Sequence, residues 1–409
     1  MLYHAYEMQR SLLNGAAAWA SVGAEMLSNP RNPMGYMGTG PILASALEVF
    51  AHAYAPRGKP DFGIETVQVD GKAHTVEEAI VLPKPFGDLL RFRREGLPED
   101  APKLLIVAPM SGHYATLLRG TVERMVQSTE VYITDWADAK KVSMSEGRFD
   151  LDDYIDYLIE FLEHIGPGTH MLAVCQPSVP ALAATAILNR DKHPCAPPTL
   201  TMMGGPIDTR KSPTTVNDLA MERPIEWFRQ TVIATVPLAY AGAGRRVYPG
   251  FLQLAGFMSM NLGNHIMSHY EMFKHLTAGD DESAQNTKDF YDEYLSVCDM
   301  TAEFYLQTVE EVFQKHSIPN GTFTHRGKQV DIHDITESAI LAIEGERDDI
   351  SGIGQTRAAL DLATNLPIRK KKYHLAAGAG HYGIFNGSKW RDQIAPVVEE
   401  WMAANPGGK

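Results

Sequence analysis

His170-Met171-Leu172-Ala173-Val174-Cys175-Gln176-Pro177-Ser178-Val179-Pro180 decides how the rest of this chain is read. Five apolar or aromatic-like positions form a short buried strand that ends at Cys175. The run Ala181 to Leu188 then begins a helix at once, with prolines in its first turn, where a missing N–H costs little. A strand that turns sharply into a helix lifts the residue at the turn above the sheet. The helix N-terminus favours the thiolate form of a cysteine held there. A turn of this kind normally has small residues two positions either side of the nucleophile. Ala173 satisfies the first, whereas Pro177 occupies the second. A lone cysteine is most often an inert core filler, so the reading depends on what else reaches the same sheet edge.

Outward from this stretch the chain alternates strands and helices. Leu104 to Ala108, Val131 to Thr134, Thr199 to Met203, Ala339 to Ile343 and Lys372 to Ala376 read as strands, with helices over Ala115 to Gln127 and after the cap Asp150. That rhythm predicts an α/β fold, a mainly parallel sheet with helices on both faces. Glu65 to Val69 and Thr75 to Leu82 flank Asp70-Gly71 as an antiparallel hairpin. The expected divisions are an N-terminal helical segment (1–60), a first core part (61–206), a helical lid inserted at 207–335, and a second core part (336–409). The stripe Leu2, Tyr3, Tyr6, Leu12, Leu13, Trp19, Val22 and Met26 predicts a first helix docked on the protein's own core, contact with an outside apolar surface being the minority reading.

With 409 residues, 44% hydrophobic and 21% charged, the chain can bury a large core. A net charge of -13 argues against polyanions, so no nucleic acid partner is expected. No run is long and apolar enough for a membrane span. Leu12-Leu13 and Ala18-Trp19-Ala20 mimic a signal peptide, but Glu7, Asn14 and Gly15 interrupt it. Cys175, Cys195 and Cys298 lack disulfide or zinc spacing, which suits a reducing cytoplasm. His265, His269 and His275 fall at helical spacings without an acidic third ligand, so neither metal nor cofactor is expected.

Beyond the second half of the sheet, Glu344-Gly345-Glu346-Arg347-Asp348-Asp349 and Gly378-Ala379-Gly380-His381-Tyr382-Gly383 follow successive strands. Cys175, Asp348 and His381 thus come in the order nucleophile, acid, base found in α/β-hydrolases. In a parallel sheet their strand ends share one edge. Asp349 and Asp208 rival Asp348 as the acid, His374 rivals His381, and Ser111 is a weaker candidate nucleophile. An oxyanion hole is expected from the N–H of Gln176 together with Met110 or Ser111, because Pro109 has no N–H to give. The glycines beside His381 suggest a ring free to move. Trp136, Met258 and Phe257 are the expected substrate-binding residues, the latter two within a Met- and aromatic-rich cleft that also includes Met260, Met267, Met272, Phe251, Tyr270 and Phe273.

The run Val174 to Pro180, with Gly345 to Gly352 and Gly378 to Gly383, resembles the intracellular poly(3-hydroxybutyrate) depolymerases, and the likeness extends over nearly the whole chain. The resemblance implies an α/β-hydrolase fold related to polyester synthases. It further implies Cys175, Asp348 and His381 as the triad, hydrolysis of amorphous polyester through a thioester, and association with the surface of cytoplasmic polyester granules. A thioester also raises coenzyme A as an acyl acceptor. The competing readings are a polyester synthase or other acyltransferase, a small-ester hydrolase, and a granule coat protein without catalysis; oligomeric state, homo-oligomer included, is left open.

Overall fold

The computed structural model describes residues 2–29, 32, 39–260, 262–278 and 280–407. Two helices open the chain, α1 (Leu2–Ser28) and α2 (Gly40–Ala53), packed side by side. Strands β1 (Thr66–Val69), β2 (Lys72–Leu82) and β3 (Gly87–Arg94) form an antiparallel meander turning at Asp70 and Gly71, both with positive φ. There follow β4 (Lys103–Val107), α3 (Arg119–Met125), β5 (Glu130–Trp136), α4 (Leu151–Ile165), β6 (His170–Val174), α5 (Ser178–Arg190) and β7 (Thr199–Met203). The helix expected from Ala115 begins instead as a 3-10 turn over Ala115–Leu118.

Between β7 and the next core strand lies an insertion of short helices, a three-stranded sheet and three longer helices, α6 (Gly250–Met260), α7 (Leu262–Ala278) and α8 (Asp281–Tyr294). It is anchored along its second half, where Phe304, Val312, Ile318, Phe323 and Ile335 join the main core. The core resumes with β8 (Ala339–Gly345) and β9 (Lys371–Ala376) and closes with α9 (Ala395–Ala404).

Among the described residues nine strands make one sheet in the order β1-β2-β3-β5-β4-β6-β7-β8-β9, antiparallel up to the β3–β5 pair and parallel beyond it. The parallel strands are continuous apolar runs because helices cover both faces. Every residue of β6, β7 and β8 is buried. Helix α5 is buried from Ser178 to Asn189, and its alanines at 181, 183, 184 and 186 let it lie close to the sheet. Helix α4 starts with a capping box: Asp150 accepts from the Asp153 N–H at 3.0 Å, and Asp153 accepts from the Asp150 N–H at 2.8 Å.

The N-terminal stripe is divided rather than docked. Tyr3 is buried, donating to Asp299, and Tyr6 stacks on Phe251 with ring centres 3.7 Å apart. Leu12, Trp19, Val22 and Met26 face solvent, because α2 packs against the small residues Ala17, Ala20 and Ala24 on the other side of α1. The expectation that the whole stripe packs inward is therefore corrected.

Candidate active site

Strand register brings the site together. Val174 pairs with Met203, Met203 with Ile343, and Gly345 with Ala376, so the carboxyl ends of β6, β7, β8 and β9 stand side by side. The ladder runs one step further, the Cys175 N–H donating to the Met203 carbonyl at 2.7 Å. Cys175 then turns with φ 65°, in the left-handed region that costs a non-glycine residue about 1–2 kcal/mol. Such strain persists where surroundings impose it, typically at a functional turn. The Ser178 N–H donates back to the Cys175 carbonyl at 3.0 Å, closing the elbow.

His381 and Asp348 meet Cys175 there. His381 Nδ1 lies 2.7 Å from Asp348 Oδ2, and a carboxylate can only accept, so Nδ1 carries the proton. Nε2 is left for the Cys175 thiol, whose charge acts on the ring. Asp348 Oδ1 accepts from the N–H groups of Ile350 at 2.9 Å and Ser351 at 2.8 Å, so both its oxygens are occupied and the side chain is fully buried. Burial opposes charge on His381, but the charges of Cys175 and Asp348 and its hydrogen bonds to both raise its pKa well above the usual value. The site thus favours the charged imidazolium of His381, a state lost as pH rises through its elevated pKa.

The rival residues are elsewhere. Asp208 is held by Arg210, whose Nε donates at 2.7 Å; against its burial these bonds keep its pKa below the usual range. Asp349 is exposed. His374 lies inside β9, where burial lowers its pKa. Asp348→Asn is expected to leave Nδ1 facing an amide and to lower kcat by about 10^3–10^4-fold, and to slow iodoacetamide alkylation of Cys175 at neutral pH. Asp208→Asn is expected to leave both unchanged, and equal losses in the two variants would remove Asp348 from this role.

Met110 is buried and Ser111 half-buried in the loop after β4. Trp136, expected to touch substrate, is instead buried in the core against Tyr154, ring centres 4.2 Å apart, because β5 turns it toward α4. Its indole N–H donates to the Ala108 carbonyl at 2.8 Å, and Tyr154 donates to the same oxygen at 3.1 Å. Both therefore hold the strand end that leads to Met110 and Ser111. Met258 is half-buried on α6, and the side chains of Phe257 and Met260 lie outside the described residues. Met272 is buried, whereas Met267 and Tyr270 are exposed, so the Met-rich stripe does not form one lining. His269 packs on Tyr291, His275 pairs with Asp280 at 2.9 Å, and His265 has no described side chain.

Several residues of the site escaped the sequence reading. Gly204, with φ 61°, lies under the His–Asp pair: a Cβ there would come within 3.1 Å of His381 Cε1 and 3.2 Å of Asp348 Oδ2. At Gly205 a Cβ would overlap Ser178. The space missing at Pro177 is thus supplied by the loop that follows the neighbouring strand β7. Glu344, near the end of β8, is fully buried and accepts from the N–H groups of Gly354, Thr356 and Arg357 at 2.8, 2.8 and 2.9 Å and from Tyr373. It fixes the loop behind Asp348. Phe385 and Tyr382 flank the His381 ring edge-on, with centres 5.8 and 6.0 Å away. Tyr294, at the end of α8, reaches Tyr382 at 6.3 Å, which brings the insertion to the site.

A parallel sheet in this strand order, with a strained cysteine after β6, an acid after β8 and a histidine after β9, defines an α/β-hydrolase fold. Among solved structures it is similar to a Paleococcus ferrophilus monoacylglycerol lipase (TM-score 0.46, 11% identity, 78% of this chain and 99% of that one). It is also similar to 2-hydroxy-6-oxo-6-phenylhexa-2,4-dienoate hydrolase from Rhodococcus sp. strain RHA1 (TM-score 0.44, 10% identity, 81% and 99%).

Within that class the likeness points to polyester enzymes. Residues 204–406 match the family model described as PHB de-polymerase C-terminus, a span that includes Asp348 and His381 but starts after Cys175. Over 322 residues the chain is 24% identical to the poly(3-hydroxyalkanoate) polymerase subunit PhaC of Allochromatium vinosum, covering 76% of this chain and 83% of that protein. It is also 24% identical to the Haloferax mediterranei subunit of the same name over 317 residues, 74% of this chain and 59% of that longer protein. Among the described residues no helix is long and apolar enough to cross a membrane.

Proposed function

We propose that this protein transfers acyl groups of poly(3-hydroxybutyrate)-type polyester through a thioester on Cys175, and that water is the acceptor, making it a depolymerase of stored polymer. The observation that carries the reading is the His381–Asp348 pair at the sheet edge where Cys175 turns with a strained φ. His381 takes the thiol proton, and the thiolate attacks an ester carbonyl of the polymer. The oxyanion faces the N–H of Gln176 and that of Met110 or Ser111. The ester C–O bond breaks, the departing alcohol takes the proton from His381, and a 3-hydroxyacyl thioester remains. Water, giving its proton to His381, then releases the acid and restores the thiol. Asp348 holds the tautomer and stabilises the imidazolium. The proposed setting is a polyester granule in the cytoplasm.

A second reading is chain growth, in which the thioester is charged from 3-hydroxyacyl-coenzyme A and the acceptor is the hydroxyl end of a growing chain. The names of both curated relatives favour it more directly than they favour hydrolysis. Hydrolysis draws on the description of the family model and on the resemblance of the elbow, acid and base segments. The two differ only in donor and acceptor, so one pair of assays separates them. The purified protein is expected to release 3-hydroxybutyrate from amorphous granules and to form no polymer from 3-hydroxybutyryl-coenzyme A. Polymer formation without release from granules would replace the proposal by the second reading.

A further inference from the structure

Helix α1 is built inside out. On the side facing α2 it presents Ala17, Ala20, Gly23 and Ala24, small enough that a Cβ on Gly23 would stand 3.1 Å from Leu47. On the side facing solvent it presents its large apolar residues, with Met8 67%, Leu12 72%, Trp19 80%, Val22 49% and Met26 62% exposed. These recur at intervals of three, four and seven, so they form one stripe about 27 Å long on a 3.6-residue helix. An ordinary surface helix does the reverse. From Ser11 to Ala24 there is no acidic, basic or histidine side chain, in a chain whose net charge is -13. The helix is not loose: Tyr3 bonds to Asp299 and Tyr6 stacks on Phe251 of α6, so the stripe is held in a set orientation to the insertion that reaches the active site.

We infer that the Met8–Met26 face of α1 is the surface by which the protein adsorbs to the uncharged, apolar polyester on which, under the function proposed above, it acts. Charge selects this occupant. An anionic lipid surface or nucleic acid would be repelled by the chain, and α1 lacks the lysine- and arginine-rich polar face of helices that lie in phospholipid interfaces. A neutral polymer with ester groups in an apolar backbone demands no charge, and the stripe offers none. Exposed apolar patches of this size mark interaction sites.

The test compares the wild type with Leu12→Gln/Trp19→Gln and Leu12→Glu/Trp19→Glu. Both positions are exposed, so little stability is at stake, and circular dichroism checks that α1 persists. Adsorption to a film of amorphous poly(3-hydroxybutyrate) is expected to fall roughly tenfold or more in both variants. Turnover of a soluble 3-hydroxybutyrate ester is expected to be unchanged. Trp19 is the exposed tryptophan among five, so the wild type is also expected to show a blue shift in emission on the film that the variants lack. Adsorption equal to wild type would overturn the inference. So would equal wild-type binding to neutral phosphatidylcholine vesicles, or an oligomer that dissociates in the variants, which would make the stripe a face between copies. Adsorption through α1 without turnover of any ester would sustain the inference while the proposed activity failed.

Discussion

Cys175→Ala is expected to lower ester turnover by at least about 10^4-fold, because the variant has no nucleophile and His381 no thiol to deprotonate. Measurement of 3-hydroxybutyrate release from amorphous granules and of turnover on a soluble ester checks this together. Retained activity in the alanine variant would remove the thioester and send attention to Ser111, half-buried in the loop after β4. A companion variant separates chemistry from strain. Cys175 holds φ 65°, so Cys175→Gly relieves about 1–2 kcal/mol of folded-state strain while adding about 0.5–1 kcal/mol of unfolded-state freedom. The net expectation is an equally stable or slightly more stable protein that is equally dead. A clear fall in Tm for Cys175→Gly would mean that the turn carries no strain and that the thiol contributes to packing.

The second large effect is expected at Gly205, which the sequence marks only as part of Gly204-Gly205-Pro206. A Cβ here would overlap Ser178 Cβ and Oγ and approach the Cys175 carbonyl to 3.2 Å. Neither side has room to yield. The Gly205 N–H donates to the Thr356 hydroxyl at 2.7 Å and that hydroxyl donates to the Gly205 carbonyl at 3.0 Å, while Ser178 is fully buried at the start of α5. Gly205→Ala is therefore expected to cost about 1–3 kcal/mol of stability, as overpacking does. It should also lower kcat by about 10^2-fold, since the displaced elbow moves the thiol by the order of 1 Å from His381. The double variant Gly205→Ala/Ser178→Gly is expected to recover much of both losses, because Ser178 Oγ has no hydrogen-bond partner among the described residues and its removal strands nothing. No recovery would show that the Thr356 clamp on Gly205, and not the contact with Ser178, sets the elbow.

Apolar patterning along the chain is enough to place the sheet and to line up three reactive side chains. Period and apolar runs show where β4 to β9 lie, and a parallel sheet brings successive strand ends to one edge, so Cys175, Asp348 and His381 were legible as a set. Choosing Asp348 over Asp208 and Asp349 needed tertiary structure. All three are acids beyond strand ends, and only the path of each loop decides which carboxylate meets the imidazole and which meets Arg210 or solvent. The same holds for Trp136, whose side of the pleat follows from register and not from composition, and for Glu344, whose buried role depends on N–H groups ten or more positions later. Close approach between Gly205 and Ser178 is invisible along the chain because one follows β7 and the other opens α5, earlier in the chain. The exposed stripe of α1 shows the limit most directly: an apolar period says that a face seeks an apolar neighbour, and only the packed structure shows that α2 took the small-residue side and left Leu12 and Trp19 in water.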